Sequence, residues 1–438
     1  MRASDRQQVL RSCVVNRLSG VNVRRVVEYL RSSAAPYLSC MFLGMLASEF
    51  VGYLAGPGPI FKGQPAAILI VLLTFCATFA LWLILQPRTP VRGPLRLFLA
   101  GLGTLWLIHM VIAFVHEDLF NHTVWTFVPL LALLWLKPPS AREGWTALWA
   151  LAWALAGVLV LTRTLEILGV LQVASVPAFV TDWERTRYWL PFAGHFGLIG
   201  RWPGPFGSNP ETGIVGMFVI VIALAQWRRL SPVLIVIGSL TLLLTAGRGP
   251  EGALAVAIAV LLVFTRRGWL GSVPRWVRLA AALVVIVAAA AATIGSPAGL
   301  SGRDAIWSDF SALWRQSPWL GVGTSGIEAH LDLTRGFTHA HDMLLDELVR
   351  YGLITLVLLV IVLLLGALLA VVAAVRGYPG PLAVLSAYGV LSLTEGPNGW
   401  MQPSMVLFVF VTSVLIAGAW LSDRKGELIA TGARDLHR

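Results

Sequence analysis

The sequence predicts an all-α, polytopic integral membrane protein. Three observations carry that prediction. Apolar runs recur along the 438-residue chain, each of about 20 residues, the length that crosses a bilayer as a helix. Only 13% of the residues are Asp, Glu, Lys or Arg and 57% are hydrophobic, against about 25% charged in a soluble globular domain. The basic residues fall in short turns between the apolar runs, as cytoplasmic turns of membrane proteins do.

The net charge of +11 does not point to nucleic acid, because the arginines are spread over turns and do not form one polar face. The three cysteines, Cys13, Cys40 and Cys76, make neither a disulfide framework nor a CxxC metal site. No secretory signal is expected ahead of the first span, because a long basic stretch separates it from the first Met.

In chain order, residues 1–36 carry seven arginines against Asp5 and Glu28. They read as a cytoplasmic segment on anionic headgroups, with a solvated basic tail as the alternative. Twelve spans follow, at 37–56, 65–86, 97–115, 124–136, 146–168, 212–226, 230–246, 251–265, 279–296, 352–375, 379–395 and 405–421. Residues 37–421 thus form the transmembrane unit, and 422–438 a cytoplasmic tail. With the N-terminus inside, 23 of the 33 Lys and Arg lie on the cytoplasmic side, which is what the positive-inside rule demands. Two loops on the opposite face are long, 169–211 and 297–351, and long ordered loops usually carry function. Ten basic residues lie on that face, among them Arg187, Arg201, Arg248, Arg303 and Arg350, where the same rule disfavours them.

Three stretches on this outer face carry chemistry. Arg201 to Thr212 (RWPGPFGSNPET) is a glycine- and proline-rich path, and either Asn209 or Thr212 is placed to cap the next span. Arg201 there faces a polyanion, or else lipid headgroups. The turn Gly247-Arg248-Gly249 pairs a planar, permanently charged donor with glycines that let a ligand approach the backbone. An ion pair from Arg248 to Glu251 is the bland alternative. His339 and His341 flank Ala340 just before an apolar run. Asp342 is suited to cap that run, and histidine is the side chain best suited to move a proton near neutral pH. A zinc site would need further ligands at clear spacing, and none is visible. No Asp-x-Asp occurs in the chain, so no metal or other cofactor is expected.

Taken together these stretches resemble the O-antigen ligase family of lipid-linked polysaccharide ligases and polymerases. Gly-x-Phe-x-x-Asn-Pro is Gly204 to Pro210. The Arg-Gly turn is Gly247-Arg248-Gly249, with glycine where the family commonly has serine. The family's histidine, nine-residue spacer and Gly-x-x-Thr are His341, Met343 to Tyr351 and Gly352 to Thr355. Asp342 departs from the Asn, Ser or Gln of the pattern. Arg303-x-x-x-Trp307 and Pro318-x-x-Gly321-x-Gly323 are also similar.

The resemblance implies a GT-C-like, inverting, metal-independent glycosyltransferase of the bacterial inner membrane whose site faces the periplasm. Its donor would be a polysaccharide on undecaprenyl diphosphate, and its acceptor lipid A–core. His341 or His339 would be the base, with the family spacing favouring His341. Arg201 and Arg248 would hold the diphosphate, with Arg187 and Arg303 in reserve. Outer tryptophans, Trp202, Trp307, Trp314 and Trp319 among them, would stack on sugars or form an interfacial belt. The competing readings are an O-antigen polymerase, a protein O-oligosaccharyltransferase and, from another class, a flippase for the same lipid. A flippase needs charges along the middle of its spans, where the sequence has Glu49 and His109 as exceptions.

Overall fold

The computed structural model of the chain describes residues 93–116, 138–169, 204–206, 209–245, 248–266, 271–294, 303–334, 339–394 and 405–435, with isolated positions elsewhere. The spans expected at 65–86 and 124–136, most of 37–56 and most of the 169–211 loop lie outside the described residues. All described elements are helices, with no strand among the described residues. They are α1 (Pro94–Val115), α2 (Ala141–Ile167), a 3-10 turn (Gly204–Phe206), α3 (Asn209–Ala225), α4 (Ser231–Thr245) and α5 (Arg248–Phe264). Then come α6 (Arg275–Ile294), α7 (Arg303–Trp314), α8 (Gly323–Ala329), α9 (Met343–Val375), α10 (Gly380–Thr394) and α11 (Met405–Asp435). Of these, α1, α2 and α9 are long and apolar enough to cross a bilayer, and several shorter apolar helices accompany them. This is a helical membrane protein.

Local sequence accounts for the helix ends. α1 opens on Pro94, whose missing N–H is no loss in a first turn. α2 opens on a capping box: Ser140 N–H donates to Glu143 Oε2 at 2.8 Å, and Glu143 N–H donates back to Ser140 Oγ at 3.3 Å. Asp342 caps α9, its side chain accepting from Leu345 N–H at 2.9 Å, as the sequence suggested. Thr212 lies inside the first turn of α3 and not at its cap, because the helix already starts at Asn209. Arg278 from α6 closes the far end of α5 by donating to the carbonyls of Leu262 and Thr265.

Without water to drive apolar surfaces together, membrane helices gain from close packing over small residues. α3 and α4 cross where a Cβ on Gly238 would lie 2.6 Å from the Gly216 carbonyl. Gly144 on α2 similarly admits Ile416 of α11.

Helix directions follow from such contacts. At one end of the bundle Trp145 and Ala225 both lie against Gly380, and Gly377 lies against Arg266. So α2 and α10 start at this end, and α3, α5 and α9 finish there. The starts of α3, α5 and α9 therefore share the opposite end, with the finishes of α2 and α4.

The structure adds detail to two expectations. The stretch 297–351 is not a plain loop: α7, α8 and the first turns of α9 lie within it. Apolar positions such as Ile306, Phe310 and Leu313 line one face of α7 and bury against Ile327, Ala340 and Val349, which stabilises a helix that a hydropathy scan for spans passes over. Beyond the last span the helix runs on without a break, since α11 reaches Asp435 while its apolar part is Leu407–Asp423.

Candidate functional site

The site begins with a kink. Inside α9, Gly352 has φ 80 and ψ −176, a conformation essentially restricted to glycine. It divides α9 into a short first segment and a long apolar one. The turn 317–323 wedges against the kink. A Cβ on Gly352 would lie 2.1 Å from the Trp319 carbonyl oxygen, and one on Gly321, at φ 71, would lie 2.4 Å from the Arg350 carbonyl oxygen. Two glycines face each other's backbones, and no other residue fits at either. Helical bonds broken by the kink are replaced across this contact: Val322 N–H donates to Val349 O at 2.8 Å, and Leu353 N–H to Pro318 O at 3.0 Å. Both family-like pieces, Pro-x-x-Gly-x-Gly and Gly-x-x-Thr, are thus halves of one joint.

The joint holds the first segment of α9, and the two histidines lie directly ahead of it. The rings of His339 and His341 are 4.2 Å apart, centroid to centroid, tilted by 59°. Ala340 between them is fully buried. Its carbonyl accepts from Trp307 Nε1 at 3.0 Å and its N–H donates to Asp346 Oδ1 at 3.3 Å. Asp346 in turn accepts from Arg350 Nε at 2.8 Å, and Arg350 NH1 donates to Thr324 Oγ1 at 3.0 Å. His341 has φ 53, a left-handed conformation uncommon outside glycine that persists only where surroundings enforce it.

Burial pushes the His341 imidazole down to about 4. His339 and Arg303 push the same way, and Asp346 opposes them. His339 is lowered too, first by burial; Asp346 opposes this, and Arg350 and Arg303 reinforce it. Burial raises the Asp342 carboxyl against the pull of the Leu345 and Leu344 N–H groups. Both histidines are therefore neutral near pH 7, which is the proton-accepting form.

Of the four arginines read as diphosphate ligands, Arg303 opens α7, is half-buried and bears electrostatically on both histidines. Arg248 is the first residue of α5. Arg187 and Arg201 lie outside the described residues. A cation at the positive end of a helix dipole is unfavourable by itself, and Arg248 and Arg303 both occupy such ends.

The other pieces converge on the same end of the bundle. Trp202 N–H donates to Leu244 O at 2.9 Å, next to the Arg248 turn. Gly204, at φ 61, presses on Thr212, and a Cβ on Gly213 would lie 3.0 Å from Thr245 Oγ1 and 3.1 Å from Pro250 Cγ. Tyr388 on α10 donates to Met343 Sδ at the start of α9, 3.3 Å away. The glycine-proline path, the arginine turn and the histidines thus share one end.

Three tryptophans have partners that the sequence did not indicate. Trp202 is buried and its indole N–H is bound by the Glu166 carboxylate at 2.8 Å. The indoles of Trp307 and Trp314 donate to the carbonyls of Ala340 and Pro318. An indole N–H inside a protein finds a partner, and here the partners tie down loops. Trp319 does remain exposed.

His109, read as an unexplained mid-span charge, is paired: its Nε2 meets Glu347 Oε1, and both side chains are almost wholly buried. Its ring lies 4.4 Å from that of Tyr351, beside the kink. The partners of Glu347, Asp346 and Trp307 were not legible in the sequence. Only the i,i+4 spacing of Asp346 and Arg350 was a usable signal.

Chemically, this end offers two neutral imidazoles held rigidly, cationic groups near them, and backbone donors at helix starts. That set suits proton removal from a hydroxyl beside a bound polyanion. Among the described residues no group of three or more His, Cys, Asp and Glu is arranged to hold a metal. A sequence-family model described as O-Antigen ligase matches residues 233–360, from α4 through the arginine turn, the histidines and the kink. The chain is similar to that family over this stretch. A comparison with curated proteins gave no match.

Proposed function

We propose that this protein is an O-antigen ligase, acting on the periplasmic face of the bacterial inner membrane. It moves a finished polysaccharide from undecaprenyl diphosphate to lipid A–core. Glycosyl transfer of the ligase or polymerase type is the activity that the match over residues 233–360 suggests. The observation that carries the finer reading is convergence. The arginine turn, the Gly204–Phe206 path and the histidine pair come from three distant stretches, and the directions of their helices put all three toward one end of the bundle.

The reaction is a single inverting displacement. An acceptor hydroxyl attacks the anomeric carbon, His341 or His339 takes its proton, and the glycosidic bond to the diphosphate breaks. Arg201 and Arg248 neutralise the departing diphosphate, with Arg187 and Arg303 in reserve. Anion at the starts of α5 and α7 would also relieve the unfavourable placement of a cation there.

The test is the lipopolysaccharide profile of a deletion strain. Core without O-chain, with polymerised lipid-linked chain accumulating, is the expected result. Core carrying a single repeat means a polymerase instead, and an unchanged profile refutes both.

A further inference from the structure

We propose that Asp346 and Trp307 are positioning residues for the transfer reaction, acting by clamping the Ala340 peptide between them so that the His339 and His341 rings keep one mutual geometry. The inference rests on the transferase reading. Ala340 contributes only a methyl group, yet both polar groups of its backbone are bound by side chains from two different helices, α7 and α9. A buried peptide needs its N–H and C=O satisfied, and here satisfaction is bought with a tryptophan and a carboxylate, not with a turn of backbone.

The consequence is geometric. Fixing the two peptide units on either side of Ala340 restrains the backbone that carries the imidazoles, which favours their 4.2 Å spacing and 59° tilt over other arrangements. The same clamp enforces the left-handed His341 backbone, which would otherwise relax to an ordinary conformation. Asp346 is itself held by Arg350, and Arg350 by Thr324 on α8. The clamp therefore spans α7, α8 and α9, and the joint at Gly352 sets its reach. Neither clamp residue is asked to touch substrate.

The experiment uses the purified full-length protein, a polyprenyl-diphosphate oligosaccharide donor and a core-type acceptor. Asp346→Ala should lower kcat by at least about tenfold, since misplacing a catalytic group by 1 Å costs on the order of 10²-fold, while the donor KM stays near native. Asp346→Asn should recover part of the loss, because its amide oxygen still accepts from Ala340 N–H although its NH2 cannot accept from Arg350 Nε. Trp307→Phe should also lower kcat at constant KM, whereas loss of a sugar platform would raise KM.

A second readout is independent of transfer. Diethyl pyrocarbonate labelling, followed residue by residue by mass spectrometry, should speed up at His339 and His341 in Asp346→Ala and Trp307→Phe, with His330 unchanged. Native kcat in Asp346→Ala, an Asn variant as impaired as Ala, or unchanged labelling of the pair would each overturn the clamp. If the native protein shows no transfer, the transferase reading falls, and the labelling still decides the clamp.

Discussion

Replacing Gly352 by alanine tests the joint on which the whole site leans. The added Cβ would lie 2.1 Å from the Trp319 carbonyl oxygen and 2.3 Å from its carbon, and backbone cannot swing aside as a side-chain tip can. The φ of 80 and ψ of −176 add a penalty of about 1–3 kcal/mol for a residue with a Cβ. Relief of the clash separates the turn from the kink, and with it go Val322 N–H to Val349 O and Leu353 N–H to Pro318 O, about 1 kcal/mol each. The total is about 3–5 kcal/mol of local destabilisation. At about 1.4 kcal/mol per factor of ten, opening of this joint should become on the order of 10²- to 10⁴-fold more frequent.

Hydrogen exchange followed by mass spectrometry reads that number directly. Peptides covering 317–323 and 349–355 should exchange faster by that factor, while peptides from α3 and α4 stay as in the native protein. Transfer should fall with the joint, because His339 and His341 are carried on its near side. Native protection at Val322 and Leu353 in the alanine variant would refute the reasoning, whatever the activity.

Four further outcomes are expected. Alanine at whichever of His339 and His341 is the base should lower turnover about 10²–10⁴-fold with donor-lipid binding nearly intact; purified kinetics on both variants checks this, and near-normal turnover in both would leave the arginines to carry the reaction alone. Arg248→Ala should abolish transfer with the protein still folded in the membrane, and Arg248→Lys should restore it only in part, because a point charge lacks the planar fork. Glu347→Ala leaves the buried His109 Nε2 without its partner, and an unsatisfied buried polar group costs about 1–3 kcal/mol, so detergent-solubilised protein should unfold at a lower temperature. Finally, the histidine pair predicts a pH window. Its folded values are lowered, so the unfolded chain binds protons that the fold does not between 6.5 and about 4; stability present above that window should decline as pH falls through it, and the acid limb of kcat/KM should lie below 6.5.

The class of molecule and the inventory of its chemistry can be read from residue order alone. Apolar runs are long and contiguous, and each helix satisfies its own backbone, so spans such as 97–115, 230–246 and 379–395 were legible to within a few residues of α1, α4 and α10. The motif residues were legible for a similar reason: Asp342 caps locally, and the spacing from His341 to Gly352 and Thr355 is a property of one continuous segment. Tertiary structure alone decided who meets whom. Gly352 and Gly321 are glycines because each faces the other's backbone across about 30 residues of chain, and no local preference encodes that contact. Trp307 reads as an outward aromatic until Ala340, from another stretch, is laid beside it. His109 reads as a stray charge until Glu347 reaches it across 238 residues. Period and propensity act within a turn or two of helix, whereas a clamp or a buried pair is made by packing between helices, and only the assembled bundle brings those partners within hydrogen-bonding distance.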